Sequence, residues 1–439
     1  MFNKLVFRKM ILLSGDIAIL YICLIITLIL RYGQSFSQEN LLKHLLPFSL
    51  LYLIWLFVFF VFDLYELDLL KRGVSFAVRI LLAMLSCLVI GIVFFYTIPT
   101  IAPKTNLLIV ILLSGVFLFL WRKIFLQLFS SFFKNRVAII ELTQESENLA
   151  LALKDNPHLG YELIEIIPIQ AIANLSEKIK SSRINTIIVA TKEMSSNKEL
   201  KKYLYDCLIH QVNILDIARA HEIIFQKIPI NNLDYMWFLE NLKEGKRGLQ
   251  DKMKRVTDIV LSCLILIITS PFWLIIALLI KMDSTGPIFY RQTRVGKNRQ
   301  NFQLIKFRSM REKAESNGAV WAEKQDPRAT RIGKILRRIH LDELPQMLNI
   351  IKGDISLVGP RPERPIFVNQ LEEKISHYQL RHLIKPGFTG WAQIKFRYGR
   401  TINDGFEKFE YDLYYIKNRS LLLDLIILLK TFQLFFRNE

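Results

Sequence analysis

A pair of adjacent carboxylates, Asp342 and Glu343, offers the clearest chemistry in this chain of 439 residues. The apolar residues around the pair have helical spacing, and Pro345 suits only a first helical turn, so we expect Asp342 near a helix N-terminus. The free backbone N–H groups at such an end favour anions. A carboxylate can attack phosphorus, and Mg²⁺ is usually held by one or two carboxylates together with substrate phosphates. The pair could therefore serve phosphoryl chemistry, although most Asp-Glu pairs are solvated helix starts.

Basic side chains in the same part of the sequence could neutralise charge on phosphoryl oxygens. They are Lys306, Arg308, Arg337 and Arg361. Cations of this kind stabilise the transition states of phosphoryl transfer. The run Gly359-Pro360-Arg361-Pro362 places one arginine on a stiff turn, which lowers the entropy cost of orienting it.

Long apolar runs indicate a membrane protein. Hydrophobic residues make up 52% of the chain. Residues 1–130 contain four runs long enough to cross a bilayer as helices, at 11–30, 45–62, 80–98 and 107–126. Lys and Arg concentrate at the two ends of this predicted four-helix transmembrane bundle and between its second and third runs, so both ends should face the cytoplasm. Asp16 lies inside the first run, where an acid has either a functional or a structural role.

The formal net charge of +19 fits nucleic acid, an anionic lipid surface or a phosphate-rich substrate as partner. A nucleic-acid binder predicts a basic face with interleaved aromatic residues outside the membrane. Here the basic residues cluster around the carboxylates and beside the apolar runs. We therefore expect membrane lipid and phosphate partners, and no nucleic acid.

Residues 136–245 are predicted to form a degenerate Rossmann-like α/β domain with a parallel sheet, because short buried strands alternate with helical patterns. A dinucleotide site would need a glycine-rich turn after the first strand. The turn at Glu141–Glu145 contains no glycine. We interpret this domain as a regulatory or structural module.

A fifth apolar run, residues 259–280, contains Ser270-Pro271 near its midpoint. Proline removes a backbone donor and clashes with the preceding turn, so it bends a helix. A helix that crossed the bilayer would place the carboxylate pair outside the cell. We therefore predict a re-entrant helix that turns at Ser270-Pro271, with a kinked spanning helix as the alternative.

Ordered motifs follow this run. They read GPIFYRQTRVGK at 286–297, FQLIKFRSM at 302–310, RRIHLDELPQ at 337–346, LVGPRPE at 357–363 and KPGFTGWAQ at 385–393. With these motifs, residues 250–439 resemble the bacterial monotopic phosphoglycosyl transferases that start exopolysaccharide, O-antigen or glycan-lipid assembly. The four-helix N-terminus and the middle domain are similar to the long form of that family.

The resemblance implies an enzyme that transfers a sugar-1-phosphate from a UDP-sugar to polyprenyl (undecaprenyl) phosphate and releases UMP. Asp342 would attack the β-phosphate and hold the sugar phosphate covalently, and Glu343 would assist through Mg²⁺ or proton transfer. Both carboxylates are thus expected to be catalytic and to bind Mg²⁺. The phosphate- and substrate-binding residues that the resemblance implies are Lys306, Arg308, Ser309, Arg337 and Arg361. Ser270-Pro271 matches the family's helix-breaking dipeptide.

The resemblance further implies a mainly α (α+β) catalytic domain at 250–439, on the cytoplasmic face of the bacterial inner membrane, in a chain that could form a homodimer. The sugar is not readable from a short motif, and UDP-glucose or UDP-galactose is our expectation from the long form. A non-catalytic membrane scaffold of polysaccharide assembly is the alternative, and it predicts loss of the carboxylate pair or of a phosphate-binding arginine. Neither is lost.

Three further features are open at this stage. Leu421–Phe436 could be an interfacial helix or a core helix of the catalytic domain. Trp391 could stack on a uracil ring or pack in the core. His340, beside the carboxylate pair, is a weaker candidate for a general base.

Overall fold

The computed structural model forms two compact units, Met1–Ile224 and Phe225–Glu439. The residues that the structure describes are 2–65, 73–97, 104–132, 135–140, 144–155, 161–189, 198–209, 212–230, 233, 235–242, 248–311, 326–396 and 401–436.

The first unit begins with four long helices. They are α1 (Phe2–Tyr32), α2 (Gln38–Val61), α3 (Gly73–Thr97) and α4 (Lys104–Phe132). Each contains a stretch long and apolar enough to cross a membrane. Side chains such as Leu24, Trp55 and Cys87 are buried in a shared core, whereas Leu30, Leu53 and Leu112 are exposed. An apolar outer surface around an apolar core is what a lipid-embedded bundle requires, because lipid offers no hydrophobic penalty to exposed leucine.

The acid inside the first predicted run has a structural partner. Both oxygens of Asp16 accept from Arg122 of α4, one of them at 2.7 Å, and the two side chains are 0% and 2% exposed. The ring of Tyr65 lies 5.6 Å from the Arg122 guanidinium carbon. Because a membrane interior penalises an unpaired charge, this pair joins the first and fourth helices.

A parallel sheet follows the bundle. Its strands are β1 (Asn135–Ile140), β2 (Tyr161–Ile167), β3 (Thr186–Val189) and β4 (Asn213–Asp216), in the spatial order β2-β1-β3-β4. The helices between and after them are α5 (Gln144–Asp155), α6 (Leu175–Ser182), α7 (Lys198–Ile209) and α8 (Ile217–Phe225). Parallel strands agree with the predicted α/β unit, and the Rossmann-like assignment stays a prediction. Most of the glycine-free turn, residues 141–143, lies outside the described residues.

The segment after the sheet belongs to the second unit. Ile228, Ile230 and Phe238, the last in helix α9 (Tyr235–Asn241), are buried in the core of that unit. The predicted middle domain extended to residue 245. The two compact units divide at residues 224 and 225, and the domain boundary at residue 245 stays a prediction.

The second unit is mainly helical with two small sheets. Helices α10 (Gly248–Asp283), α11 (Arg331–Arg338), α12 (Gln346–Lys352), α13 (Pro365–Lys374), α14 (Trp391–Lys395), α15 (Ile402–Asn418) and α16 (Leu421–Phe436) surround its core. Strands β5 (Phe289–Val295) and β6 (Asn301–Phe307) form an antiparallel hairpin, and β7 (Ser356–Val358) pairs in parallel with β8 (Gly387–Thr389).

Helix α10 runs without interruption through Ser270 and Pro271, so the predicted break does not end the helix. Pro271 cannot donate to the carbonyl of Ile267, which lies four residues earlier. The Ser270 hydroxyl donates to that same carbonyl at 2.8 Å. The serine therefore satisfies the acceptor that the proline leaves without its usual donor, and the helical hydrogen bonding continues.

Helix α16 combines the two roles that its sequence left open. Ile427 is fully buried in the core, and Asp424 is buried where it accepts from Lys254 at 2.7 Å. Leu422 and Leu425 on another side are exposed. One face of the helix packs in the core, and the other exposes leucine side chains.

Candidate active site

The carboxylate pair lies on a short 3-10 helix, Leu341–Glu343, between α11 and α12. Leu341 and Leu344 pack against a small apolar cluster that contains Ile280 and Phe307, and this anchors the turn. Asp342 and Glu343 are consequently buried, with 7% and 8% exposure. Helix α12 begins only at residue 346, so the expected helix N-terminus is a separate tight turn that precedes the helix.

Glu343 is engaged by two cations. Its Oε1 accepts from Lys306 Nζ at 2.6 Å and from Arg361 Nη2 at 2.8 Å. Burial alone would raise the pKa of Glu343, but the charges of Arg361 and Lys306 outweigh burial and hold that pKa well below its usual range. Glu343 therefore stays charged at neutral pH and anchors the two basic side chains.

Asp342 has the opposite environment. Within the part of the chain that the structure describes, no hydrogen bond to its carboxylate is found. Burial, and then the charge of Glu343, raise its pKa above the ordinary aspartate value, while Lys306 and Arg337 act against this shift. A desolvated carboxylate without hydrogen-bond donors is more reactive as a nucleophile than a solvated one.

Arg361 is the most exposed of the three cations around the pair. Its side chain is 43% exposed although it bonds to Glu343, so part of the guanidinium can contact a further anion. The predicted stiff turn is thus present, and it aims its arginine at the carboxylates.

Arg337 lies in the last turn of α11, and its Nη1 is 4.0 Å from Asp326. Its charge acts against the raised pKa of Asp342, and no hydrogen bond between the two side chains is found among the described residues. Gly333 makes this placement possible, because a Cβ there would lie 1.9 Å from the Ser309 carbonyl oxygen.

Two predicted residues are placed differently. Arg308 donates to the carbonyls of Ser284 and Thr285, both at 2.7 Å, and so closes the loop after α10. The Ser309 carbonyl accepts from Thr330 N at 3.1 Å. The structure therefore brings Lys306, Arg361 and Arg337 toward the pair, whereas Arg308 is occupied by backbone, and a phosphate role for Arg308 and Ser309 stays a prediction.

The donor set allows Mg²⁺ only with help from a substrate. Among the described residues no group of three or more His, Cys, Asp or Glu side chains could hold a metal ion. Asp342 offers oxygens without hydrogen-bond donors, and Glu343 lies next to it. Mg²⁺ commonly takes one or two carboxylates and completes its coordination with phosphates and water, so the residues present fit that ion together with a phosphate-bearing ligand.

The structure also shows the role of Trp391, and it contains a contact between Arg381 and Arg361 that the sequence did not indicate. Trp391 is buried, donates to the Gln226 carbonyl at 3.0 Å and stacks on Tyr414, so it packs in the core. Arg381 donates to the carbonyl of Arg361 at 3.0 Å. No local motif signals this contact, because it joins positions that are 20 residues apart.

Comparison with known proteins places the second unit in a family. Residues 249–438 match the family model described as bacterial sugar transferase. An Aeromonas hydrophila protein named UDP-N-acetylgalactosamine-undecaprenyl-phosphate N-acetylgalactosaminephosphotransferase is 36% identical over 255 residues, which are 57% of this chain and 58% of that protein.

Two further relatives extend this picture. An Escherichia coli K12 protein named UDP-glucose:undecaprenyl-phosphate glucose-1-phosphate transferase is 32% identical over 68% of this chain and 67% of its own length. A Rhizobium leguminosarum protein named exopolysaccharide production protein PSS is 42% identical over 41% of this chain and 92% of its own length. The matched region is thus nearly the whole of the Rhizobium protein.

Proposed function

Because this chain belongs to the bacterial sugar transferase family, we propose that it transfers a sugar-1-phosphate from a UDP-sugar to undecaprenyl phosphate and releases UMP. The reaction would be the first membrane step of exopolysaccharide, capsule or O-antigen synthesis. The observation that carries the proposal is the contrast between the two carboxylates: Glu343 is bound to two cations, and Asp342 is buried with no hydrogen bond found among the described residues.

The first step uses this contrast. An Asp342 oxygen attacks the β-phosphorus of the UDP-sugar, a new O–P bond forms, and the bond from that phosphorus to the bridging oxygen breaks. UMP leaves with the bonding electrons, and the sugar phosphate stays on Asp342 as an acyl phosphate. In the second step an oxygen of undecaprenyl phosphate attacks the same phosphorus, and the Asp342 carboxylate is regenerated.

The surrounding cations stabilise the charge on the transferred group. Lys306 and Arg361, both held by Glu343, are positioned before substrate arrives, so little reorganisation is needed. Part of the Arg361 side chain is exposed and can contact the transferred phosphate, and Arg337 adds a further positive charge. Mg²⁺ held by Asp342, Glu343 and the substrate phosphates would supply Lewis-acid polarisation of the diphosphate.

Two substrates of different solubility can use one pocket in turn if the pocket lies at the membrane surface. We place it on the cytoplasmic face of the inner membrane, where nucleotide sugars are made, with α10 as a re-entrant helix. Support comes from both ends of α10. Arg255 donates to the carbonyls of Ile350 and Ile351, both at 2.6 Å, and Asp283 accepts from Ile332 N at 2.8 Å.

Those two attachment points belong to the same folded unit. A straight helix from residue 255 to residue 283 would be about 42 Å long, more than the roughly 30 Å hydrocarbon core that a spanning helix crosses. A compact unit that lies on one side of a bilayer cannot contact both ends of such a helix, so we infer that α10 returns to the side from which it entered. Exposed residues between the ends, including Ile267, Ile268, Phe272 and Leu274, suit contact with lipid.

The test is UMP release from purified protein with undecaprenyl phosphate and a panel of UDP-glucose, UDP-galactose and UDP-N-acetylgalactosamine, since the named relatives differ in sugar. We expect release with at least one donor, and a loss of at least about a thousandfold in the Asp342→Asn variant. Radiolabelled sugar phosphate should be trapped on the unaltered protein when lipid acceptor is left out. Normal UMP release by Asp342→Asn would refute the assignment of the nucleophile.

A further inference from the structure

The turn that carries Arg361 is held at four consecutive carbonyls. The carbonyl of Pro360 accepts from Gly387 N at 2.8 Å, and that of Glu363 accepts from Val295 N at 3.0 Å. Between them, the carbonyl of Arg361 accepts from Arg381 and that of Pro362 accepts from Arg294, each at 3.0 Å. Three different segments of the unit, around residues 295, 381 and 387, thus fix one short turn.

Arg381 is the member of this set that holds Arg361 itself. It is 6% exposed and lies in the 3-10 helix Tyr378–Leu383. Its Nη2 donates to the Arg361 carbonyl at 3.0 Å and to Asp412 at 2.9 Å, and its Nη1 donates to the Tyr378 hydroxyl at 2.6 Å. The planar fork of an arginine makes these contacts at once, which a lysine ammonium on a shorter stem cannot.

Asp412, on α15, completes the arrangement. It is 2% exposed, so the Arg381–Asp412 pair is a fully buried ion pair. Burying such a pair carries a large desolvation penalty, and well-packed apolar residues often give equal or greater stability. Stability alone therefore does not account for charges at these two positions, whereas orientation of the neighbouring turn does.

We propose that Arg381, fixed by Asp412, is a positioning residue of the phosphate site: it holds the Arg361 backbone so that the Arg361 guanidinium points at Glu343 and at the donor diphosphate. Arg381 does not touch the substrate. This inference rests on the proposed function, and it adds two residues, Arg381 and Asp412, to the machinery of that reaction.

A double-mutant cycle tests the proposal with the full-length protein in detergent or nanodiscs. UMP release is measured for Arg381→Lys, Arg361→Ala and the double variant, with the best donor of the panel. Misplacement by about 1 Å can cost roughly a hundredfold in rate, so Arg381→Lys should lower kcat/KM for the donor about 100-fold. In the Arg361→Ala background the same change should cost about twofold or less, because Arg381 acts only through Arg361.

A second variant distinguishes a loss of activity from a loss of folding. Arg381→Met with Asp412→Leu removes both buried charges together, which should keep the melting temperature near that of the unaltered protein while kcat/KM still falls about 100-fold. The matched control is Lys227→Met with Glu410→Leu. That pair, at 3.0 Å, uses the same helix α15 but does not touch the turn, so kcat/KM should stay within about twofold.

Two results would overturn the inference. Equal losses of kcat/KM from Arg381→Lys with and without Arg361 would mean that Arg381 acts independently of Arg361. Unchanged kinetics of Arg381→Lys would mean that the contact between Arg381 and the Arg361 carbonyl does not affect catalysis. Absence of UMP release by the unaltered protein with every donor is a different outcome, because it would overturn the proposed function and this inference together.

Discussion

At the scale of single residues, the site depends on two neighbouring carboxylates in opposite electrostatic settings. The backbone turn at Leu341–Glu343 places the two carboxylate side chains in different surroundings. Glu343 meets Lys306 and Arg361, while Asp342 is desolvated, and only burial and ion pairing in three dimensions create this difference. The sequence could identify the pair as a candidate, but it could not show which carboxylate is bound and which is open.

This difference predicts opposite effects on stability. The raised pKa of Asp342 means that its charged form is disfavoured in the folded state, so Asp342→Asn should raise the melting temperature at pH 7 while activity is lost. Glu343→Gln removes the negative charge that pairs with Lys306 and Arg361 and weakens both hydrogen bonds, so it should lower the free energy of unfolding by about 2 kcal/mol. Thermal unfolding in detergent, followed by tryptophan fluorescence, measures both.

Acidification should change the stability contributions of the two carboxylates in opposite directions. The folded pKa of Glu343 is lowered, so its contribution to stability is present above the ordinary glutamate pKa and is lost as pH falls through the folded value. Asp342, with a raised pKa, lowers stability as pH rises past the ordinary aspartate range. The difference in melting temperature between the unaltered protein and Glu343→Gln should therefore shrink on acidification. A difference that is constant from pH 7 to pH 3 would contradict the ion-pair assignment.

At the scale of elements, a strand, a turn and a short helix carry the three cations: Lys306 lies on β6, Arg361 on the turn after β7 and Arg337 on α11. Helix α11 carries Arg337, and its Thr330 side chain accepts from Gly333 N at 3.0 Å as a helix cap. The helix lies directly against the backbone of Ser309, two residues after β6, and the space at Gly333 leaves no room for a side chain.

Gly333→Ala should therefore be destabilising. Its Cβ would meet a backbone carbonyl that cannot move freely, and overpacking of this kind costs about 3 kcal/mol. UMP release should fall with it, because Arg337 is displaced. The control is Gly248→Ala at the start of α10, where no atom lies within 4 Å of the added Cβ. Equal melting temperatures for the two variants would show that α11 does not pack as described.

Helix α10 leads to a test of membrane topology. Replacing Ser270 and Pro271 with leucine restores a backbone donor for the Ile267 carbonyl and removes the bend that proline favours. The helix should then cross the bilayer, and a cysteine placed at Lys281 should become inaccessible to reagents from the cytoplasmic side. Continued cytoplasmic labelling in the double variant would mean that Ser270-Pro271 does not set the topology of α10.

The long apolar helices could be predicted from the sequence, whereas contacts between distant residues could not. Apolar runs of 18 residues or more identified α1 to α4 and α10, because length and composition decide such helices. The sequence does not indicate that helical hydrogen bonding continues through Pro271, because this depends on the Ser270 hydroxyl bond. Arg308 bonds to the carbonyls of Ser284 and Thr285, a contact that the sequence does not indicate because it depends on where a distant loop ends. Contacts between residues far apart in the chain leave no local pattern.

At the scale of the whole molecule, the second unit includes more than the region that matches the family model. That region begins at residue 249, yet Ile228, Ile230 and Phe238 are buried in the same core. Lys227 pairs with Glu410 at 3.0 Å, and the Gln226 carbonyl accepts from Trp391. The segment before the family match is therefore part of the structural unit.

A truncation series tests this boundary. A chain of residues 225–439 should be monodisperse in detergent and should release UMP. A chain of residues 248–439 loses three buried apolar side chains, worth roughly 5 kcal/mol together, and should aggregate or melt at a lower temperature. Size-exclusion chromatography with thermal unfolding distinguishes the two, and equal behaviour would show that residues 225–247 are dispensable.

The ion pair between Asp16 and Arg122 also has a consequence for biogenesis. The two residues are 106 positions apart, so at roughly 5–20 residues per second a ribosome makes the arginine roughly 5–20 seconds after the aspartate. A lone acid at the centre of a membrane helix costs roughly 3 kcal/mol on insertion scales. We therefore expect the first helix to gain its charge partner only when the fourth has been made, so that nascent chains that stop before residue 122 should be degraded faster than the full chain.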